Sequence, residues 1–192
     1  MSPRSSRRLA ALVWAVQFFV PLWLQAGSLR ELGDVQAGVQ AALPHVRPAL
    51  LALRTATGSA SGIIVTPDGI VLTATHVTIE DGEAPKPGKR LKAYLPTGAL
   101  AMATVLGMDL ATDAALLKLD GERTDWPFVP IQRAEKPAVG DWCFALGHPG
   151  GYDPARGDVL RVGRILKVMP NGLQTDCVLM GGDSGGPLFS LD

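Results

Sequence analysis

From residue 49 onward the chain is a succession of short apolar runs cut apart by turn residues, and that rhythm restricts it to β architecture. LLALR, GIIVT and IVLTA open the series, and RLKAYL, ALAMATVLGM and AALLKL carry it to Leu119. DWCFALG, VLRVGRILKV, GLQTDC and PLFSL resume it after residue 138. Runs of this length, bounded by Gly and Pro, have the dimensions of strands. Pro67-Asp68-Gly69 between the second and third runs is a hairpin signal, and EDGEAPKPGKR reads as a polar loop. GERTDWPFVPIQRAEKPA has no periodicity and three prolines, which predicts a linker at 121–138 lying on the surface. The expectation is an all-β sandwich or barrel protein in two halves, 49–120 and 139–192.

The N-terminus differs in kind. Arg4, Arg7 and Arg8 precede an apolar run from Leu9 to Leu24, shorter than the ~20 residues that cross a bilayer comfortably. Together with the small residues Ala26 and Gly27, this describes a secretory signal over 1–26, cut after Ala26. Leu24, third before that cut, keeps an uncleaved membrane anchor open as the alternative. Either way the remainder is expected to be exported: periplasmic, secreted, or anchored and facing the periplasm. SLRELGDVQAGVQAAL follows, with Ser28 and Glu31 spaced as a capping box and Leu29, Leu32, Val35, Val39 and Leu43 at helical spacing. It predicts a helical arm over 27–48, ended by Pro44 and Pro48. Homo-oligomer contact is one use for such an arm; packing on the chain's own body is the default.

Composition narrows the function. Lys+Arg and Asp+Glu both number 18, and no long run of like charge occurs, so no nucleic-acid partner is indicated. Two cysteines, Cys143 and Cys177, are too few for a disulfide framework and read as buried free thiols.

Only three histidines are available for catalysis. His45 lies between prolines and reads as a surface residue; His148 lies in the turn LGHPGG. His76 ends the strand-like IVLTATHVT, where a scaffold can present a catalytic ring. Asp113 opens the strand DAALLKL, and Ser184 sits in Gly-Asp-Ser-Gly-Gly, whose glycines allow a sharp turn. A serine hydroxyl is a weak nucleophile until a base takes its proton; an imidazole can do so, and a carboxylate fixes its tautomer. GDSGG also fits the elbow of α/β-hydrolases, but there the acid and histidine follow the serine, whereas here both precede it.

GSASGIIVTPDGIVLTATHV, TDAALLKL, FALGHPGG and LQTDCVLMGGDSGGPLF together resemble HtrA/Deg-type trypsin-like serine proteases, in order and over most of 49–192. The resemblance implies a double β-barrel with the site in the cleft between the barrels, the first at 49–120 and the second at 139–192. It implies His76 as general base, Asp113 as its orienting acid and Ser184 as nucleophile. The N–H groups of Gly182 and Ser184, with Asp183 as a third candidate, would form the oxyanion hole. Val178, six residues before the serine, would lie at the base of the primary substrate pocket with Leu179 and Met180, suiting aliphatic side chains. Unfolded envelope proteins are the implied substrates, and no metal or organic cofactor is implied.

Three departures accompany the resemblance. Asp183 stands where HtrA-type proteins usually carry Asn, and its partner is left open. No PDZ domain is expected within these 192 residues. The chain ends at Asp192, eight residues after Ser184, so the second barrel is expected to lack its last strands. Two readings result: a serine endopeptidase acting through an acyl-enzyme, or a truncated, non-catalytic or partner-completed protease-like binding module.

Overall fold

The computed structural model describes residues 22–55, 58–79, 86–131 and 136–191, of which 22–28 as backbone only. The signal or anchor read before residue 22 and part of the polar loop EDGEAPKPGKR lie outside the described residues. No described helix is long and apolar enough to cross a membrane. The chain divides between Asp34 and Val35, and the fold and the site belong to the second unit.

Helix α1 spans Leu22–Val46, so it is already formed at Ser28 and the capping box is not its start. Pro44 lies inside its last turn and does not end it. A proline so close to the terminus removes one backbone bond with little helix left to disrupt. The chain then passes into a 3₁₀ turn, Arg47–Ala49, which holds Pro48. Of the periodic apolar residues, Val35, Val39 and Leu43 pack with Val46, Leu50, Phe144 and Leu146, whereas Leu29 and Leu32 are exposed.

Strands β1 (Leu50–Arg54), β2 (Ser59–Ile64), β3 (Ile70–Ala74), β4 (Arg90–Tyr94), β5 (Leu100–Asp109) and β6 (Ala114–Leu119) form a closed barrel in the order β1-β2-β3-β6-β5-β4. Alternation places one set of side chains inside. In β4, Leu91 and Ala93 are buried between exposed Arg90 and Lys92; in β6, Ala115, Leu117 and Leu119 point inward. The Pro67-Asp68-Gly69 hairpin forms, with the Gly69 N–H on the Thr66 carbonyl at 3.0 Å and Val65 N–H on Ile70 at 2.7 Å. β5 takes an irregular step between Val105 and Gly107.

The linker lies on the surface along most of its described length, with one exception. Trp126, rather than lying on the surface, is buried in the barrel's core cluster. Its backbone N–H donates to the Pro67 carbonyl, and the Val129 N–H donates to the Ile64 carbonyl, so the strip runs along the hairpin of β2 and β3. Aromatic area and two backbone bonds outweigh the irregular, proline-rich sequence.

The second half is a sheet in the order β10-β7-β8-β9: β7 (Trp142–Gly147), β8 (Val159–Met169), β9 (Gly172–Thr175) and β10 (Leu188–Ser190). It does not close among the described residues, leaving β9 and β10 as edges. β7 is buried on both faces. Phe144 and Leu146 face α1, with Phe144 stacked on Phe189 at 4.9 Å; Cys143 and Ala145 turn the other way, onto Ile165 and Cys177.

Candidate active site

β3 runs out at Ala74 into the 3₁₀ turn Thr75–Thr78, which carries His76. Thr75 fixes the turn to the start of β6: its hydroxyl donates to the Ala114 and Asp109 carbonyls at 2.7 and 3.0 Å, and its N–H to Asp113 at 2.9 Å. Asp113 has a left-handed backbone, φ 55°, and both carboxylate oxygens turn to His76. Oδ1 accepts the His76 backbone N–H at 2.9 Å, and Oδ2 meets Nδ1 at 2.7 Å. A carboxylate only accepts, so Nδ1 carries the hydrogen, and it is Nε2 that holds the lone pair in the neutral ring. Burial alone would raise the Asp113 carboxyl; the bonds from the His76 ring and backbone outweigh it and hold the group below 3.8. Both side chains are about half exposed, 53% and 52%.

Ser184 comes to the same place from the other half. Its carbonyl accepts the Ser61 N–H of β2 at 2.8 Å. Gly185, at φ 80°, presses so close to the barrel that a Cβ there would stand 2.5 Å from the Ser61 carbonyl and 2.8 Å from the Ala74 nitrogen. The serine turn therefore sits against the end of β3, two residues before His76. No hydrogen bond joins His76 to Ser184 among the described residues.

Three further residues shape this turn. Ser61 is fully buried: its hydroxyl takes the His148 N–H at 2.9 Å and donates to the Gly182 carbonyl at 2.8 Å, while its own carbonyl accepts the Thr73 hydroxyl at 2.7 Å. Arg161 of β8 grips Asp183 with both terminal nitrogens, at 3.1 and 2.9 Å. None of Ser61, Thr73 and Arg161 stands out in sequence, because each acts on a partner distant along the chain. Their only mark is a polar residue inside an apolar strand.

Of the three oxyanion candidates, Asp183 has its N–H committed to the Met180 carbonyl at 3.0 Å. The N–H groups of Gly182 and Ser184 carry no hydrogen bond among the described residues. The Gly150 N–H holds the Gly181 carbonyl at 2.7 Å. In a trans peptide, C=O and N–H point opposite ways, so the Gly182 N–H faces away from the turn at 148–151.

Val178, Leu179 and Met180 are strongly exposed, at 73%, 62% and 62%. Leu179 borders a cavity of about 350 Å³ with Ala145, Leu173, Cys177, Gly186 and Leu188; Val178 and Met180 are not on its lining. His45 is exposed, while His148 is buried with no partner at Nδ1. No group of three His, Cys, Asp or Glu gathers as a metal site among the described residues.

Residues 60–192 match the family model of the trypsin-like peptidase domain. A probable periplasmic serine endoprotease, DegP-like, from Pseudomonas putida is 37% identical over 146 residues, covering 72% of this chain. A protein of the same description from Rickettsia prowazekii is 34% identical over 140 residues, covering 69%. The chain spans 28% and 26% of the length of these two relatives. Among solved structures, the serine endoprotease from Yersinia pestis superposes with a TM-score of 0.64 at 31% identity, over 78% of this chain and 52% of that one.

Proposed function

Because the chain belongs to the trypsin-like peptidase family, with DegP-like serine endoproteases among its relatives, we propose that it hydrolyses peptide bonds through His76, Asp113 and Ser184. The observation that carries this reading is the double grip of Asp113 on His76, which leaves Nε2 as the ring's free base beside the turn bearing Ser184. Nε2 takes the Ser184 proton as Oγ attacks the scissile carbonyl; Asp113 stabilises the imidazolium. The tetrahedral oxyanion accepts from the Gly182 and Ser184 N–H groups, the two donors the turn leaves unpaired. The proton on Nε2 passes to the leaving amine, and water repeats the sequence to release the acyl group.

Polypeptides are the substrate class, and an aliphatic side chain is the one the apolar surroundings of Leu179 favour. The names of the relatives and the basic, apolar N-terminus support action in the periplasm, and unfolded envelope proteins are the substrates that the sequence resemblance implies. A second reading, a protease-like module that binds without cutting, draws on the missing His76–Ser184 hydrogen bond and the half-exposed pair. Labelling with a fluorophosphonate separates the two. A serine with an activated hydroxyl reacts far faster in the wild type than in Ser184→Ala; equal rates leave the binding module.

A further inference from the structure

Asp183 is the residue between the two unpaired donors, so its conformation sets where both of them point. Two hydrogen bonds and an ion pair hold its carboxylate: Arg161 Nη1 donates to Oδ1 at 3.1 Å, the Met180 N–H donates to Oδ2 at 2.8 Å, and Arg161 Nη2 pairs with Oδ2 at 2.9 Å. The Asp183 N–H and carbonyl are also committed, to Met180 at 3.0 Å and to the Gly186 N–H at 2.8 Å. The side chains are only 12% exposed for Arg161 and 4% for Asp183. A planar guanidinium set against both oxygens of a carboxylate restricts rotation in a way that a point charge cannot.

The surroundings are shaped for this pair. Arg161 lies opposite Ala145 in the β7–β8 ladder. Two residues further along β7, Gly147 leaves a gap that Asp183 fills: a Cβ there would collide with Oδ1 and stand 3.3 Å from the Asp183 Cα.

We propose that Arg161 is the positioning residue of the nucleophile turn. From within the second sheet of the same chain, it holds residues 180–186 in the form that presents the Gly182 and Ser184 N–H groups together. Asp183 then takes its counter-charge from a strand of that same sheet. This rests on the reading of Ser184 as nucleophile only for its catalytic consequence; the anchoring itself is a property of the fold.

The test compares the full chain with Arg161→Met, which keeps the apolar stem, and Arg161→Lys, which restores charge without the fork. Two measurements are made: the rate constant for fluorophosphonate capture of Ser184, and hydrogen–deuterium exchange of the segment 180–186. In Arg161→Met we expect capture to fall by about 10²–10³, the loss typical of one oxyanion donor. Exchange should rise in 180–186 and stay unchanged in β1–β6. Arg161→Lys should recover part of both. Wild-type exchange and capture in Arg161→Met would overturn the proposal, and so would exchange that rises equally throughout the chain and is not recovered in Arg161→Lys. If the wild type is captured no faster than Ser184→Ala, the nucleophile reading falls, and the exchange arm still decides whether Arg161 holds the turn.

Discussion

Among the described residues, Asp113 is the one non-glycine with a left-handed backbone, and its carboxylate takes both donors of His76. Asp tolerates this conformation better than most side chains, and strain of this kind persists where neighbouring bonds over-determine it. Here the Thr75 N–H on the Asp113 carbonyl and the His76 N–H on its side chain supply them. His148 shows the opposite economy: a ring with no bond at Nδ1, held neutral by its surroundings. Burial lowers its pKa from the ordinary 6.5; Asp158 and Asp183 pull upward and Arg156 downward. The unfolded chain thus takes up a proton that the folded chain refuses. Stability from this group is full above pH 6.5 and is lost as pH falls through the folded value. Replacing His148 by Phe keeps a ring beside Tyr152 and removes the titration. Thermal melts at pH 7.5 and about 5.5 should show a smaller acid loss in His148→Phe than in the wild type.

At the scale of elements, the proline-rich strip 121–131 acts as part of the barrel through Trp126. The ring lies over Gly69 and Leu119, with Arg123 stacked 4.5 Å from its centre. Trp126→Ala should cost about 3–5 kcal/mol in denaturant unfolding, the range for deleting a buried aromatic side chain. A shift under ~1 kcal/mol would mean that the strip is peripheral to the core. The strands themselves were legible as short apolar runs set between turn residues, several of them, such as β4 and β6, alternating in burial. The start of α1 was not: Ser28 and Glu31 have capping spacing, but a capping signal cannot stop a helix already running through it. Trp126 escaped for a related reason. Periodicity describes segments that pack along their whole length, whereas this strip packs through one large ring.

At the scale of the whole molecule, the serine turn is what the two halves share. His76 and Asp113 belong to the closed barrel, and Ser184 reaches it from the open sheet. His76, Asp113 and Ser184 could be named as candidates because their order and settings are local strings, and the structure pairs the first two. Ser61 and Arg161 were not, because their partners lie 121 and 22 residues away. The interior of the open sheet yields a chemical prediction. Burial, and then Cys177 beside it, pushes the Cys143 thiol up to about 12. It therefore stays protonated at pH 8, where the thiolate is the reactive species. Iodoacetamide should leave Cys143 unmodified in the native protein and label it after denaturation; fast native labelling would mean that this core opens to solvent.

Ser61 commits its N–H, its carbonyl and its hydroxyl, and has no exposed surface. In the terms of sequence drift, such a position is a bottleneck. Glycine would keep the backbone bonds and lose the hydroxyl's two, while a larger residue would have to displace the neighbours that fill its space. A change in either half at this contact has to be met by the other around one small side chain.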